Sequence, residues 1–142
     1  MEGKLFGIGS EAYVVGSNDF YMQYTAQNKD VMLCMDMGHF HPTEDVSDKI
    51  SSILCFQDEL LLHLSRGIRW DSDHVVIQND DLLNILHEIA RIKAFDKVHL
   101  ALDFFDASIN RIGAWVTGAR AVLKTTLISL LEPTEYLREI EE

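Results

Sequence analysis

Four short apolar runs recur along the chain, at residues 4–8, 31–35, 60–64 and 98–102, and a stretch with helical spacing follows each one. Strands with one wet face would alternate apolar and polar residues. These runs are continuous, which is the pattern of parallel strands covered on both faces by crossover helices. The intervening segments carry their own start signals. Ser17 stands where an N-cap is needed before Asn18-Asp19-Phe20. Pro42-Thr43-Glu44 reads as the first turn of a helix running through Ile50, Ile53 and Leu54. Asp80-Asp81 leads into Leu82, Leu83, Ile85, Leu86, Ile89 and Ile92, the clearest amphipathic pattern in the chain. After the fourth run, Ile112, Trp115, Val116, Ala119, Val122, Leu123, Leu127 and Leu130 mark a long helix that ends near Glu132-Pro133. Strand-then-helix repeated four times predicts an α/β fold with a parallel sheet and right-handed crossovers.

With 142 residues the chain has the size of one ordinary domain. The stretch 134–142 stays helical in composition without a capping Gly or Pro, so the natural chain is expected to continue past it. No apolar run approaches the roughly 20 residues needed to span a bilayer, and the first residues lack a charged segment followed by an apolar one, so no membrane or secretory role is expected and the cytoplasm is the expected compartment. The two cysteines fit that compartment. Cys34 in a strand-like run and Cys55 in a helix-like run are expected to be free, small buried hydrophobes. A formal net charge of −11 argues against nucleic acid, whose phosphates need clustered Lys and Arg. A cation is the more natural guest.

Ligand-type side chains fall at or just after the C-terminal ends of the runs, where parallel α/β folds place their sites. The second run leads into Asp36-Met37-Gly38-His39-Phe40-His41-Pro42. The third contains His63 and is followed by Arg69-Trp70-Asp71-Ser72-Asp73-His74. In an extended segment Asp71 and Asp73 point to one side, and two carboxylates there repel unless a positive charge lies between them. The fourth ends in Asp103-Phe104-Phe105-Asp106. Any single Asp at a strand end is most often a cap or turn residue, and His41, His74, His87 and His99 have weak individual claims, with His87 reading as a surface or boundary residue. Joint placement is the stronger signal: Asp36, His39, His63, Asp71, Asp73 and Asp103 come from three successive strand ends, which favours a divalent-metal site.

The runs 36–44, 69–75 and 102–111 closely resemble the L-rhamnose isomerase family, and Glu2-Gly3-Lys4-Leu5-Phe6-Gly7-Ile8-Gly9 is similar to the same family's approach to its metal site. The resemblance covers essentially the whole chain. It implies part of a (β/α)₈ barrel, related to xylose isomerase, with about four parallel strands and flanking helices: residues 1–142 as a single piece of the catalytic domain, strands five to eight. A complete barrel takes about 250 residues. By the same resemblance, Glu2, Asp36, His63 and Asp103 hold one divalent ion, and His39, Asp71 and Asp73 hold the second, catalytic one. Lys4 matches a lysine that lies beside the sugar oxygens. Mn²⁺ is the expected ion, with Zn²⁺, Co²⁺ or Mg²⁺ as substitutes.

The implied reaction, part of rhamnose metabolism and carbohydrate catabolism, interconverts L-rhamnose and L-rhamnulose. Hydrogen moves between C2 and C1, by the hydride shift the resemblance favours, while a water near Asp71 and Asp73 shuttles the hydroxyl proton. Half a barrel leaves strand edges and an inner apolar face uncovered, so self-association into a homo-oligomer is expected, two copies closing one barrel. The alternative is a catalytically silent metal-binding half barrel that self-associates. A different metal-dependent barrel enzyme, such as a hydrolase, fits the short spacings but not the long motif runs.

Overall fold

A computed structural model describes residues 1–4, 16–67, 74–106 and 108–141. Its elements run α1 (Asn18–Gln27), β1 (Leu33–Asp36), α2 (Ser47–Leu54), β2 (Leu60–Leu64), α3 (Asp80–Arg91), β3 (Val98–Leu102), α4 (Arg111–Leu130) and α5 (Thr134–Glu141). The three strands form one sheet in the order β1-β2-β3, and both pairings are parallel. The expected run at 4–8 lies outside the described residues except for Lys4. Just before it, Glu2 makes a parallel bridge to Cys34, with the Cys34 amide donating to the Met1 carbonyl at 2.7 Å. The N-terminal segment therefore runs along the outer edge of β1. Three strands are described where about four were expected, in an α/β arrangement as expected.

Helix starts follow the local chemistry. Ser17 Oγ accepts the Phe20 amide, Asn79 Oδ1 accepts the Leu82 amide, and Asn110 Oδ1 accepts the Gly113 amide, each satisfying a donor that the first helical turn leaves unpaired. The second helix corrects the sequence reading. Pro42 does not open it; residues 42–43 form a turn, and α2 begins only at Ser47. Asp45 explains the delay, because its Oδ1 accepts both the amide and the hydroxyl of Ser47, at 2.9 and 2.8 Å, and fixes the start there.

The core lies between one face of the sheet and the helices. Leu33 and Met35 of β1, Leu60, Leu62 and Leu64 of β2, and Val98 of β3 pack with Ile50 and Ile53 of α2 and with Leu82, Ile85, Leu86 and Ile89 of α3. The opposite face is less covered than the continuous apolar runs suggested. On β2 the positions between the core residues, Leu61 and His63, are only half-buried, and on β3 His99 is exposed and Ala101 half-buried. That second face carries the polar residues discussed below. Cys34 is buried on it, whereas Cys55, expected to be buried too, is exposed just past the end of α2 with its thiol directed at the Ser51 carbonyl. Both cysteines are free.

The long helix α4 reverses the usual arrangement. Its buried positions are Ala114, Gly118, Val122, Thr125 and Ser129. Its large apolar side chains Ile112, Trp115, Val116, Leu123, Leu127 and Leu130 are all exposed, between 54% and 72%. Of the apolar positions that marked this helix in the sequence, only Val122 is in the core. Among the described residues no helix is long and apolar enough to cross a membrane.

Candidate metal centre

Parallel register builds the site. Asp36, the last residue of β1, is the direct neighbour of His63 on β2, and Asp103 follows the last residue of β3, its amide donating to the Leu64 carbonyl. Glu2 reaches the same place from the edge because its bridge to Cys34 sets it two positions before Asp36. In a parallel sheet, residues two apart on a strand share a face with their lateral neighbours, so Cys34, Asp36 and His63 project together on the side away from the core.

The distances are short. His63 Nδ1 stands 3.0 Å from Asp103 Oδ2, 3.2 Å from Glu2 Oε1 and 3.6 Å from Asp36 Oδ2. Glu2 Oε1 is also 3.3 Å from His39 Nδ1, which itself lies 3.1 Å from the Gly3 carbonyl. Gly3 lets the N-terminal segment lie against the start of α1: a Cβ there would stand 2.5 Å from Asn18 Oδ1. Among the described residues, three sets of donors fall within 4.8 Å of one another: Glu2, Asp36 and His39; Asp36, His63 and Asp103; and Glu2, Cys34 and His63.

Buried polar atoms normally find hydrogen-bond partners, because an unpaired one costs about 1–3 kcal/mol. Here Glu2 Oε1, Asp36 Oδ2 and His63 Nδ1 are buried and make none of acceptable geometry, although they crowd one another. Carboxylates that converge without donors between them need a cation. On its own the chain meets that need with a proton: the adjacent Asp36 carboxylate pushes His63 up to about 9 against the opposing effect of burial, with Glu2 and Asp103 adding to the rise. A divalent ion meets it with direct bonds, and hard oxygen ligands plus imidazole suit Mn²⁺ or its neighbours in the series. Cys34 stands differently. Burial, reinforced by Glu2 and Asp36, pushes its thiol up to about 12, so it is the neutral member of the group.

The sequence-predicted residues divide into three sets. Glu2, Asp36, His63 and Asp103 converge in one cluster, with His39 at its side. Lys4 lies half-buried on the same N-terminal segment, two residues beyond Glu2. Asp71 and Asp73 lie outside the described residues, so the second group, His39 with Asp71 and Asp73, is represented by His39 alone. Other polar residues of the motif runs do duller work. The Asp106 carboxylate accepts the amide and hydroxyl of Ser108, contacts that hold it below the usual carboxylate range, while Asn110 caps α4. His87 is half-buried with Nδ1 3.7 Å from Glu132, and His99 pairs with Glu59 at 3.0 Å. Sequence reasoning passed over Ser65 and Cys34 as parts of this centre. The signal was available, since Cys34 is two residues before Asp36 on β1 and Ser65 is two residues after His63, just past the end of β2.

The family model for L-rhamnose isomerase (RhaA) matches residues 1–142. The L-rhamnose isomerase of Rhodopirellula baltica is 59% identical over 141 residues, covering 99% of this chain and 33% of its own length. That of Yersinia pseudotuberculosis serotype IB is also 59% identical over 141 residues, covering 34% of its own length. The chain thus spans about a third of the length of the curated relatives it matches.

Proposed function

The chain belongs to the L-rhamnose isomerase family, and from that membership we propose that it forms the metal-binding part of a cytoplasmic aldose–ketose isomerase acting on L-rhamnose and L-rhamnulose. The observation that carries the reading is the convergence of Glu2 Oε1, Asp36 Oδ2 and His63 Nδ1, buried and without hydrogen bonds, beside Asp103. Glu2, Asp36, His63 and Asp103 would hold one divalent ion, Mn²⁺ by preference. His39, Asp71 and Asp73 would hold the second. Ions in these positions supply Lewis-acid polarisation of the sugar oxygens.

The residues of the chain do the rest. The three carboxylates and His63 fix a dense negative charge at the C-terminal edge of the sheet, which selects a cation and through it the hydroxyls of a sugar. Lys4, two residues past Glu2, would supply a positive charge beside the sugar oxygens, as the family resemblance implies. The whole would be strands five to eight of a (β/α)₈ barrel, with the sugar at the C-terminal end of the strands. A centre so rich in carboxylates repels phosphate backbones, so nucleic acid is no partner.

A second reading has its own support. The exposed apolar row of α4, with Trp115, Val116, Leu123 and Leu127, and the half-covered second face of the sheet favour self-association into a homo-oligomer. In that reading the chain binds metal and assembles but does not turn over.

The test is ketose formation from L-rhamnose with Mn²⁺, run beside calorimetric titration of Mn²⁺ into metal-free protein, for this chain and for Asp71→Asn. Turnover that the substitution abolishes supports the isomerase reading. Metal binding with no turnover supports the silent, assembling one, and absence of binding in the parent overturns the metal centre.

A further inference from the structure

Asp36 is 1% exposed and Ser65 is fully buried, and the two are joined by a hydrogen bond that the ligand set does not include. Ser65 Oγ donates to Asp36 Oδ1 at 2.8 Å, and the Gly38 amide donates to the same oxygen at 2.7 Å. Oδ1 is therefore saturated by two donors while Oδ2 has none. The carboxylate is held in one orientation, with a single oxygen presented to His63 and the ion position.

We propose that Ser65 is a positioning residue for the metal centre: its hydroxyl locks Asp36 as a one-oxygen ligand aimed at the site. The proposal rests on the metal-centre reading above. Ser65 follows the last residue of β2, two positions after His63, so strand alternation sets it on the ligand face. From there it reaches diagonally across the β1–β2 pairing to Asp36, the lateral neighbour of His63. The Gly38 contact closes a turn that also directs the His39 amide to the Asp36 carbonyl at 3.1 Å. One hydroxyl therefore steadies the ligand from β1 and, through that turn, the start of the loop that carries His39. Without it, Asp36 keeps only the Gly38 amide as donor and is less firmly held about its last side-chain bond, and outer contacts of this kind are typically worth 10- to 100-fold in metal affinity.

The experiment is calorimetric titration of Mn²⁺ into metal-free chain, with the paramagnetic resonance spectrum of the bound ion, for the parent, Ser65→Ala, Ser65→Thr and Asp36→Asn, each with a thermal melt in the absence of metal. Ser65→Ala is expected to weaken Mn²⁺ binding about 10- to 100-fold and to broaden the spectrum of the bound ion, while the metal-free melt stays close to the parent's. Ser65→Thr, which keeps the hydroxyl, is expected to recover most of the affinity. Binding by Ser65→Ala within twofold of the parent overturns the proposal. So does a loss of affinity that follows the melting temperature across all three variants, because that is a folding effect. Should Ser65→Ala not fold, Ser65→Cys, which keeps the volume but donates weakly, is read in its place with the same expected and overturning results. A parent that binds no Mn²⁺, or an Asp36→Asn variant that binds as the parent does, overturns the metal-centre reading itself and is distinguished by leaving the Ser65 comparison without a ligand to position.

Discussion

The two long helices that pack against each other, α3 and α4, use opposite rules. In α3 the large apolar residues are inside: Leu82, Ile85, Leu86 and Ile89 are fully buried, with acidic residues in the first turn and Arg91 in the last. In α4 the inward positions other than Val122 are small or hydroxylic, and the large apolar residues face out. The inward hydroxyls are satisfied within the helix, Thr125 by the Ala121 carbonyl and Ser129 by the Thr125 carbonyl, so burying them leaves no donor unpaired. Phe104 needs the space that small residues leave: a Cβ at Gly118 would stand 2.3 Å from its Cζ. The difference teaches that α3 is bound into this chain by hydrophobic burial, while α4 is held by close approach and offers its hydrophobic burial elsewhere.

The comparison breaks most readily at α3. Leu86→Ala is expected to destabilise the chain by about 2–5 kcal/mol in a denaturant titration; a loss under about 1 kcal/mol would mean that α3 is no better anchored than α4. Next in size is Gly118→Ala. The added methyl meets the Phe104 ring, so a loss of about 1–3 kcal/mol is expected despite the better helix propensity of Ala, and a stabilised variant would show that α4 is not held by close approach to Phe104.

A smaller effect concerns the joint between the helices. Glu132, just past α4, accepts from Arg91 Nε at 2.7 Å and Arg91 Nη2 at 2.5 Å, and this guanidinium holds the Glu132 carboxyl below its ordinary value and raises Arg91. Because the folded-state value is the depressed one, the contribution is present in full above the ordinary carboxylate range and is lost as pH falls through the depressed value. Arg91 is half exposed, so the effect is under about 1 kcal/mol. Thermal melts at neutral pH and at acidic pH should therefore differ less for Arg91→Ala than for the parent. The smallest effect on folding is expected for Leu123→Ser on the outer face of α4, within about 0.5 kcal/mol. Its sedimentation profile should nonetheless shift toward the monomer if that face mediates self-association, and an unchanged profile would sharpen the comparison against that role.

Much of this was legible beforehand for reasons that are local. The runs 60–64 and 98–102 coincide with β2 and β3, because a short continuous apolar run bounded by polar residues has few other uses. Ser17 caps α1 as read, since a serine before a helical pattern satisfies donors that nothing else nearby can reach. The misplaced start of α2 shows the limit of such rules: Pro42 is compatible with a first turn, but Asp45 offers a stronger contact to Ser47 and wins. Cys55 was misjudged because helical spacing alone does not say where a helix meets its last neighbour.

The sequence by itself determined which residue types arrive at the strand ends, and so the donor chemistry of Asp36, His63 and Asp103, because parallel strands present their ends on one side; Glu2 was legible only through the family resemblance. It also determined which residues of each helix share a face. Only the tertiary structure decided which face is buried. Periodicity is a property of one helix, while burial is a property of the surface opposite, and for α4 that surface, with Phe104 close to Gly118, leaves no room for a side chain at that position. Tertiary structure alone likewise set Ser65 against Asp36, 29 positions apart, through a register that no local pattern records.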